Sequence, residues 1–359
     1  MSRSIFIALM VMMGLSPSLV SANCMRGDEI DLRKVDRAVF DNIQVTDQGN
    51  IGICYAHAAT TLIDFIRNAR KSERYQMALD PMSAAILSTT QTEDELEGGH
   101  VCNVVNGLMK AGYGCGYSGV TVKQVKGFGM GIHSKLVNQV FMPYVTKEKK
   151  FQPVDPKFFP RGFRKNNESL LSSEQKKYLE NMDEFFKGFL VELKLRDIPR
   201  KQLPGDQQLF EFFQNVYVKN RWASLESDVS YLVIRSACEN SKFPMPKISC
   251  SEYSNTQSEL IDIVDDGLRR GLPTGASICS AFLANKNYKG ANTNGTTKSD
   301  CGEHAVVIIG KREQSGFCQY LIRNSWGYGA RYDWENSNGD IWVDEFALKA
   351  NFYEAQVVR

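Results

Sequence analysis

The sequence predicts an α+β protein with two lobes and a cleft between them. Helical periodicity dominates the first third of the chain, whereas short apolar runs separated by glycines dominate the C-terminal third. Such a segregation of helices from strands is typical of the α+β class. The 359 residues suffice for two compact lobes, or for one large domain with an insertion.

The charge of the chain is nearly balanced, with 43 lysines and arginines against 41 aspartates and glutamates. Charged runs are short, as at residues 147–150. Proteins that bind nucleic acids or charged membrane surfaces usually concentrate basic residues in a patch or stripe. We therefore expect neither nucleic acid nor a charged membrane surface as a partner.

The first 22 residues have the features of a signal peptide. Arg3 precedes an 11-residue apolar run at residues 5–15, and Val20-Ser21-Ala22 provides small residues before Asn23. A membrane span needs about 20 apolar residues, so the run is too short to cross a bilayer. We expect secretion or export to the periplasm, an oxidising compartment, with no membrane attachment after cleavage. A retained anchor is the alternative.

Residues 23–127 are predicted to form a helical lobe. Apolar residues at helical spacing within residues 56–70 predict a helix that begins at or just after Cys54. A second helix is predicted after Asp80-Pro81 and a third over residues 104–110. Gly98 and Gly99 lie in the loop between these two helices.

Residues 128–257 differ in character from the sequence on either side. Prolines indicate loops near the start of this segment, and helical patterns follow at residues 173–196, 206–220 and 225–239. We interpret the segment as a helical insertion that packs on the main body. Because it enters between the two lobes, we expect it to cover or extend one end of the cleft.

Residues 258–359 are predicted to form a β-rich lobe. A helix is expected at residues 258–270, followed by strands at residues 274–278, 305–309, 320–323 and 340–343. Glycines separate these runs and indicate turns.

The chain has nine cysteines, an odd number. In an oxidising compartment, an odd count leaves at least one thiol unpaired. If Cys54 is that thiol, the other eight form four disulfides, for which about 105 pairings exist. The odd count alone does not show that Cys54 is the unpaired cysteine. The residues around each cysteine have to decide this.

Three residues have the chemistry of a nucleophile and its activating base. A cysteine attacks as the thiolate, and a helix N-terminus or a positive neighbour lowers its pKa. Cys54 lies at a predicted helix N-terminus, and His304 begins a strand that would hold its ring rigidly. Asn324 closes a later strand and can accept a hydrogen bond from one nitrogen of that ring.

Other histidines and cysteines suggest competing interpretations. His57, three residues after Cys54, is an alternative base, although a histidine in such a place is usually packed and hydrogen-bonded. His100 with Cys102, and Cys301 with His304, are each half of a metal-binding motif. Neither half has a matching second half at ligand spacing, so we expect no metal and no cofactor.

The stretches QGNIGICYA, GEHAVVIIG and YLIRNSWGYG, in this order, resemble the papain-like cysteine peptidases of family C1, the papain and cathepsin type. The resemblance implies a two-lobed fold, with a helical N-terminal lobe, an antiparallel β-barrel-like C-terminal lobe and the active site in the cleft. It also implies that Cys54 is the nucleophile, that His304 is the base and acid, and that Asn324 orients the imidazole.

The same resemblance suggests roles for four further residues. It assigns Gln48 to the oxyanion hole and likens Trp326 to the family tryptophan that shields the hydrogen bond between histidine and asparagine. Gly98 and Gly99 are similar to the glycine pair whose backbone pairs with extended substrate.

The sequence departs from the family pattern in several places. Ile51 stands where the family usually has a cysteine that pairs with one near the glycine pair, so that disulfide is absent or rerouted. Tyr55 replaces a tryptophan and His57 an aromatic residue. Cys54 and His304 lie 250 residues apart, against roughly 130–150 in the family, which agrees with an insertion.

The resemblance implies a cysteine peptidase that hydrolyses peptide bonds through an acyl-enzyme. With the signal peptide we expect it to be secreted, and we expect a monomer. Two alternatives use the same cleft: a catalytically silent homologue that binds a peptide or protein, and a cysteine amidase or transferase. The complete set of Cys54, His304 and Asn324 argues against the silent homologue.

Overall fold

A computed structural model of the chain describes residues 24, 29–35, 37–40, 43–49, 52–69, 78–88, 98–116, 173, 238–239, 241–288 and 301–359. The predicted signal peptide and the three predicted helices of the insertion lie outside these residues, apart from residue 173 and the end of the third helix at 238–239. No described helix has the length and apolar character required to span a membrane.

Helices form most of the described N-terminal part of the chain. The helices are α1 (Leu32–Val35), α2 (Arg37–Phe40), α3 (Cys54–Ala69), α4 (Pro81–Ser88) and α5 (Val101–Ala111). Three more helices follow in the C-terminal part: α6 (Gln257–Arg269), α7 (Ala281–Ala284) and α8 (Glu345–Lys349). The predicted helices near Cys54, after Pro81, at 104–110 and at 258–270 correspond to α3, α4, α5 and α6.

Strands form most of the described C-terminal part. They are β1 (Ile30–Asp31), β2 (Tyr113–Cys115), β3 (Lys242–Pro244), β4 (Cys250–Tyr253), β5 (Thr274–Cys279), β6 (Glu303–Gln314), β7 (Phe317–Arg323), β8 (Glu335–Ser337), β9 (Asp340–Asp344) and β10 (Phe352–Val358). The four predicted strands correspond to β5, β6, β7 and β9.

The main sheet has eight antiparallel strands. Seven run in the order β4-β10-β5-β6-β7-β9-β8, and β1 pairs with β6. Strands β2 and β3 form a separate ribbon. Among the described residues, no pairing between β4 and β8 closes the main sheet into a barrel.

Helix α3 is the structural centre of the protein, because it is covered on every side. Residues 55–67 are all buried, with helices α4 and α5 on one side and strands β5 and β6 on another. One continuous apolar core includes Leu62 and Ile63 of α3 together with Val306 and Ile308 of β6. The nucleophile predicted at its first residue therefore sits on a rigid element that joins the helices to the sheet.

Two short strands near the end of the predicted insertion, β3 and β4, lie against the main body. Strand β3 pairs with β2, and β4 pairs with β10 at the edge of the main sheet. These strands have only three and four residues, too few for an alternating pattern to be recognised in the sequence. Pairing with distant strands determines their conformation.

The eight other cysteines form four disulfides and Cys54 is free. The pairs are Cys24–Cys318, Cys102–Cys250, Cys115–Cys238 and Cys279–Cys301, with Cα separations of 5.0 to 5.5 Å. Cys102, close to the glycine pair, bonds to Cys250 of β4, so the expected family disulfide is rerouted. Four disulfides are typical of proteins from an oxidising compartment.

Candidate active site

Cys54 is the first residue of α3 and is half-buried at the floor of a cleft. Burial raises the pKa of its thiol, whereas backbone N–H groups of Ala305 and Tyr55 donate to the sulfur and act in the opposite direction. Ala305 directly follows His304 on β6. The hydrogen bond from Ala305 therefore brings the free thiol against the strand that carries the predicted base.

His304 lies in β6 and is 6% exposed. Antiparallel pairing with Ile278 of β5 holds its backbone. Burial lowers the pKa of the imidazole to about 4, although the hydrogen bond to Asn324 favours the protonated form. His304 is therefore neutral at pH 7 and can accept a proton.

Asn324 determines which nitrogen of His304 carries the proton. Its Oδ1 lies 2.6 Å from His304 Nε2 and also accepts from the backbone N–H of Ser325 at 2.8 Å. Its Nδ2 donates to the Tyr332 hydroxyl at 3.2 Å, which is consistent with this orientation of the amide. Because Oδ1 can only accept, Nε2 must be the protonated nitrogen and Nδ1 is left as the acceptor.

Two aromatic rings lie beside this hydrogen bond. The Trp326 ring centroid lies 5.1 Å from that of His304, and Trp326 stacks on Tyr332 at 5.9 Å. Tyr332 thus both supports the tryptophan and accepts from Asn324. The sequence offered no signal for Tyr332, since it lies outside every recognised motif.

Gln48 is brought to the same site by pairing between two loops. Its backbone N–H donates to the Ser325 carbonyl at 2.8 Å, and Asp47 forms an isolated bridge with Trp326. The Ser325 hydroxyl donates to Gln48 Oε1 at 2.5 Å. Since Oε1 is an acceptor for Ser325, the donor that Gln48 can offer to a ligand is its Nε2 group.

The glycine pair, Gly98 and Gly99, also lines the cleft. Gly98 has φ +109° and its N–H donates to Gly52 at 2.9 Å, a conformation that favours glycine. A Cβ at residue 99 would lie 2.6 Å from the Tyr55 ring. Tyr55, the residue that replaces the family tryptophan, thus packs beneath the glycine pair and requires glycine there.

The cleft has a volume of about 810 Å³ and contains most of the predicted site residues. Its lining includes Gln48, Cys54, Gly98, Gly99 and His304. Asn324 lies behind His304 and is buried, and Trp326 is half-buried beside it. Five of the seven residues predicted for the site therefore line this cavity, and Asn324 and Trp326 contact His304 from outside its lining.

His57, the alternative base, is turned away from this cleft. It is 5% exposed, hydrogen-bonds to Thr46 Oγ1 through Nδ1, and lines a small separate cavity together with Asn324 and Ser325. Burial, with a smaller contribution from His304, lowers the pKa of His57 to about 3. The hydrogen bond supports Thr46, two residues before Gln48.

We expect His57 to make the protein less stable in acid. Its pKa is about 3 in the folded state, against about 6.5 for an exposed histidine, so between these pH values the unfolded chain binds the additional proton. The free energy of unfolding should therefore decrease as the pH falls from 6.5 towards 3, by up to about 1.4 kcal/mol per pH unit. In a His57→Gln variant, urea denaturation across this range should show a smaller dependence on pH. Equal slopes in the two proteins would contradict the prediction.

Neither of the two half-motifs for a metal supplies a thiolate. Cys102 and Cys301 are both in disulfides. A cysteine ligates metal as the free thiolate, so these cysteines are not available as ligands.

Comparison with known proteins gives one sequence relative and several structural ones. Over 156 residues the chain is 26% identical to Papaya proteinase 4 of Carica papaya. The alignment spans 42% of this chain and 43% of the papaya protein, less than half of that relative's length. No family profile matches the chain.

Similar solved structures include three proteins of low sequence identity. The SERA5 proenzyme of Plasmodium falciparum is 12% identical with a TM-score of 0.44, over 93% of this chain and 66% of that one. The Amb a 11 cysteine protease of ragweed pollen, in its proform, is 13% identical with a TM-score of 0.42, over 94% and 67%. Bromelain of Ananas comosus, in complex with E64, is 12% identical with a TM-score of 0.39, over 91% and 96%. At TM-scores below 0.5, these structures add no argument about individual residues.

The predicted fold is confirmed: the chain has a papain-like α+β fold. The similarity to the papaya enzyme is one of sequence, and the helices, antiparallel sheet and intervening cleft follow the predicted arrangement.

Proposed function

We propose that this papain-like chain is an exported cysteine peptidase, in which Cys54 is the nucleophile, His304 the general base and acid, and Asn324 the residue that positions His304. The observation that carries the proposal is the 2.6 Å hydrogen bond between His304 Nε2 and Asn324 Oδ1, in a cleft that also holds the one free thiol of the described residues. Peptides or proteins are its substrates, and it acts as a monomer.

The first half of the reaction forms a thioester. Burial favours the neutral forms of both Cys54 and His304, so the thiol proton moves to His304 Nδ1 as the sulfur attacks the substrate carbonyl. The carbonyl carbon becomes tetrahedral and its oxygen becomes negatively charged. His304 then gives the proton to the leaving amine, the C–N bond breaks, and the acyl group remains on sulfur.

The second half returns the enzyme to its starting state. A water molecule attacks the thioester while His304 Nδ1 accepts one of its protons. The C–S bond breaks, a carboxylic acid leaves, and the proton returns to the Cys54 sulfur. Asn324 keeps Nε2 protonated throughout, which leaves Nδ1 free to accept and return the proton.

Gln48 and the backbone N–H of Cys54 supply the hydrogen bonds that stabilise the oxyanion. We expect Gln48→Ala to lower kcat by about 10²- to 10³-fold, because one preorganised donor to the developing charge is lost. Steady-state hydrolysis of a short peptide would measure this. In Ser325→Ala the donor remains but loses the hydroxyl that orients it, so a smaller decrease is expected. An unchanged kcat in Gln48→Ala would show that Gln48 does not contribute to the oxyanion hole.

Extended substrate is expected to lie along the glycine pair. Gly98 uses its N–H within the protein, whereas Gly99 makes no backbone hydrogen bond to another described residue. The Gly99 peptide groups can therefore pair with substrate backbone, as in strand addition to an exposed edge. Backbone pairing provides affinity, and the surrounding pockets select side chains.

Incubation of the purified full chain with denatured casein and with peptidoglycan fragments tests the proposal, with Cys54→Ala as the control. Cleavage of peptide bonds in casein by the native protein, and not by the variant, is the expected result. Cleavage of peptidoglycan amides alone would indicate that the chain is an amidase and not a peptidase. Absence of turnover with both substrates would indicate a binding protein.

A further inference from the structure

We propose that His100, Glu252 and Glu354 bind a divalent transition-metal ion, of which zinc is the representative, at the rim of the cleft. Each of the three offers one ligand atom, and these atoms all lie within 4.8 Å of one another. The residues come from positions 100, 252 and 354, so their proximity is produced by the fold and has no counterpart in sequence spacing.

The three side chains are held by separate elements that are tied together. His100 is the N-cap of α5, Glu252 lies in β4 and Glu354 in β10. The Cys102–Cys250 disulfide joins the first turn of α5 to β4. In the β4–β10 pair, Glu252 lies opposite Gln356, which makes Glu354 its diagonal neighbour on the same face. The disulfide and the strand pairing thus fix the backbone positions of the three ligand residues.

Each of the two carboxylates is oriented by hydrogen bonds to one of its two oxygens. Glu252 Oε1 accepts from the backbone N–H of Cys102 at 3.3 Å. Glu354 Oε2 accepts from Gln356 Nε2 at 3.0 Å and from the Ser277 hydroxyl at 3.3 Å. Such outer contacts are the usual means by which a protein orients metal ligands.

No described lysine or arginine forms an ion pair with Glu252 or Glu354, in contrast to other carboxylates of the sheet, such as Asp31 and Asp340. The His100 side chain likewise makes no cap hydrogen bond to α5. Two carboxylates held close together repel each other, and a bound cation relieves that repulsion. The arrangement therefore favours occupancy by a divalent cation.

The donor set selects the class of metal. One imidazole and two carboxylates suit Zn²⁺, whereas Ca²⁺ and Mg²⁺ prefer six or more oxygen ligands. Tetrahedral zinc, with ligands at about 2.0–2.2 Å, keeps its donor atoms roughly 3.4 Å apart. His100 and Glu252 are exposed, so rotation of these side chains can close the difference from 4.8 Å. Water would supply the fourth ligand.

A metal ion at this site would lie in the path expected for substrate. His100 directly follows Gly99, and both His100 and Glu354 line the cleft that contains Cys54. Bound zinc would occupy space beside the glycine pair and reduce peptide cleavage. This consequence for activity rests on the proposed function, whereas metal binding does not.

Calorimetric titration of zinc chloride into the full-length Cys54→Ala variant tests the site without a thiol in the cleft to compete. We expect about one zinc ion per chain, and affinity lowered at least tenfold when either His100→Ala or Glu354→Gln is added. Glu303→Gln is the matched control, since Glu303 is an exposed carboxylate of the same cleft and not one of the three ligands. Calcium chloride should bind far more weakly than zinc.

Two results would overturn the proposal: no heat of zinc binding, or equal affinity with and without His100. Thermal melting of each variant verifies that it is folded, and His100, which is exposed, should be replaceable without unfolding. The binding experiment needs no enzymatic turnover, so it decides the metal site even if the chain cleaves no peptide. In the active protein, zinc inhibition of peptide cleavage should require higher zinc concentrations after His100→Ala.

Discussion

Replacing Cys54 with alanine is expected to lower the hydrolysis of peptides by at least about 10⁴-fold, the range seen when a nucleophile is removed from a hydrolase. No other described cysteine can substitute, because the remaining eight are in disulfides. Labelling of the chain by an epoxysuccinyl thiol reagent should disappear in the same variant. Hydrolysis of a fluorogenic peptide and mass spectrometry of the labelled chain would measure both effects.

The fold should tolerate this change. Cys54 is half-buried at the first residue of α3 and is not within the apolar core. The melting temperature of Cys54→Ala should therefore remain close to that of the native protein. Ser254→Ala provides a control within the same cleft, since this exposed serine has no role in the proposed reaction. Retained labelling in Cys54→Ala would show that another group is the nucleophile.

Replacing His304 with alanine is expected to reduce kcat by a similar factor, although the thiol is still present. Without the imidazole, nothing accepts the thiol proton, and burial keeps the pKa of Cys54 above its usual value. Alkylation of Cys54 by iodoacetamide at pH 7 should therefore be slower in His304→Ala than in the native protein. Equal alkylation rates in the two proteins would show that His304 does not activate the thiol.

The pH dependence of the native protein provides a second measurement of the same role. The reaction needs His304 neutral, and its pKa is about 4 in the folded protein. Activity, expressed as kcat/KM, should thus persist through pH 5 and fall as the pH decreases through about 4. A decrease centred near 6.5, the pKa of an exposed histidine, would indicate that the base is not buried as described.

The aromatic cover explains why His304 differs from an exposed histidine. Trp326 lies against its ring and stacks on Tyr332, so water is kept from the hydrogen bond to Asn324. A hydrogen bond in a medium of low dielectric constant is stronger than one in water. Asn324, Trp326 and Tyr332, all in the last third of the chain, therefore act together to bury and orient the imidazole of His304.

The order of the chemical groups along the chain and the local helical and strand patterns were determined by the sequence alone. The apolar spacing in residues 56–70 predicted α3, and the position of Cys54 at its start follows from that helix. Likewise, the odd number of cysteines required an unpaired thiol. These features are local or numerical, so they can be read without knowledge of distant contacts.

Contacts between residues far apart in the chain were decided by the tertiary structure alone. It selected one disulfide pattern from about 105, placed β4 at the edge of the main sheet, and brought Ser325 to Gln48 across 277 residues. It also gathered His100, Glu252 and Glu354 at one rim of the cleft. The physical reason is that strand pairing and core packing join elements by shape and hydrogen bonding, and neither leaves a periodic trace in the sequence when the strands are only a few residues long.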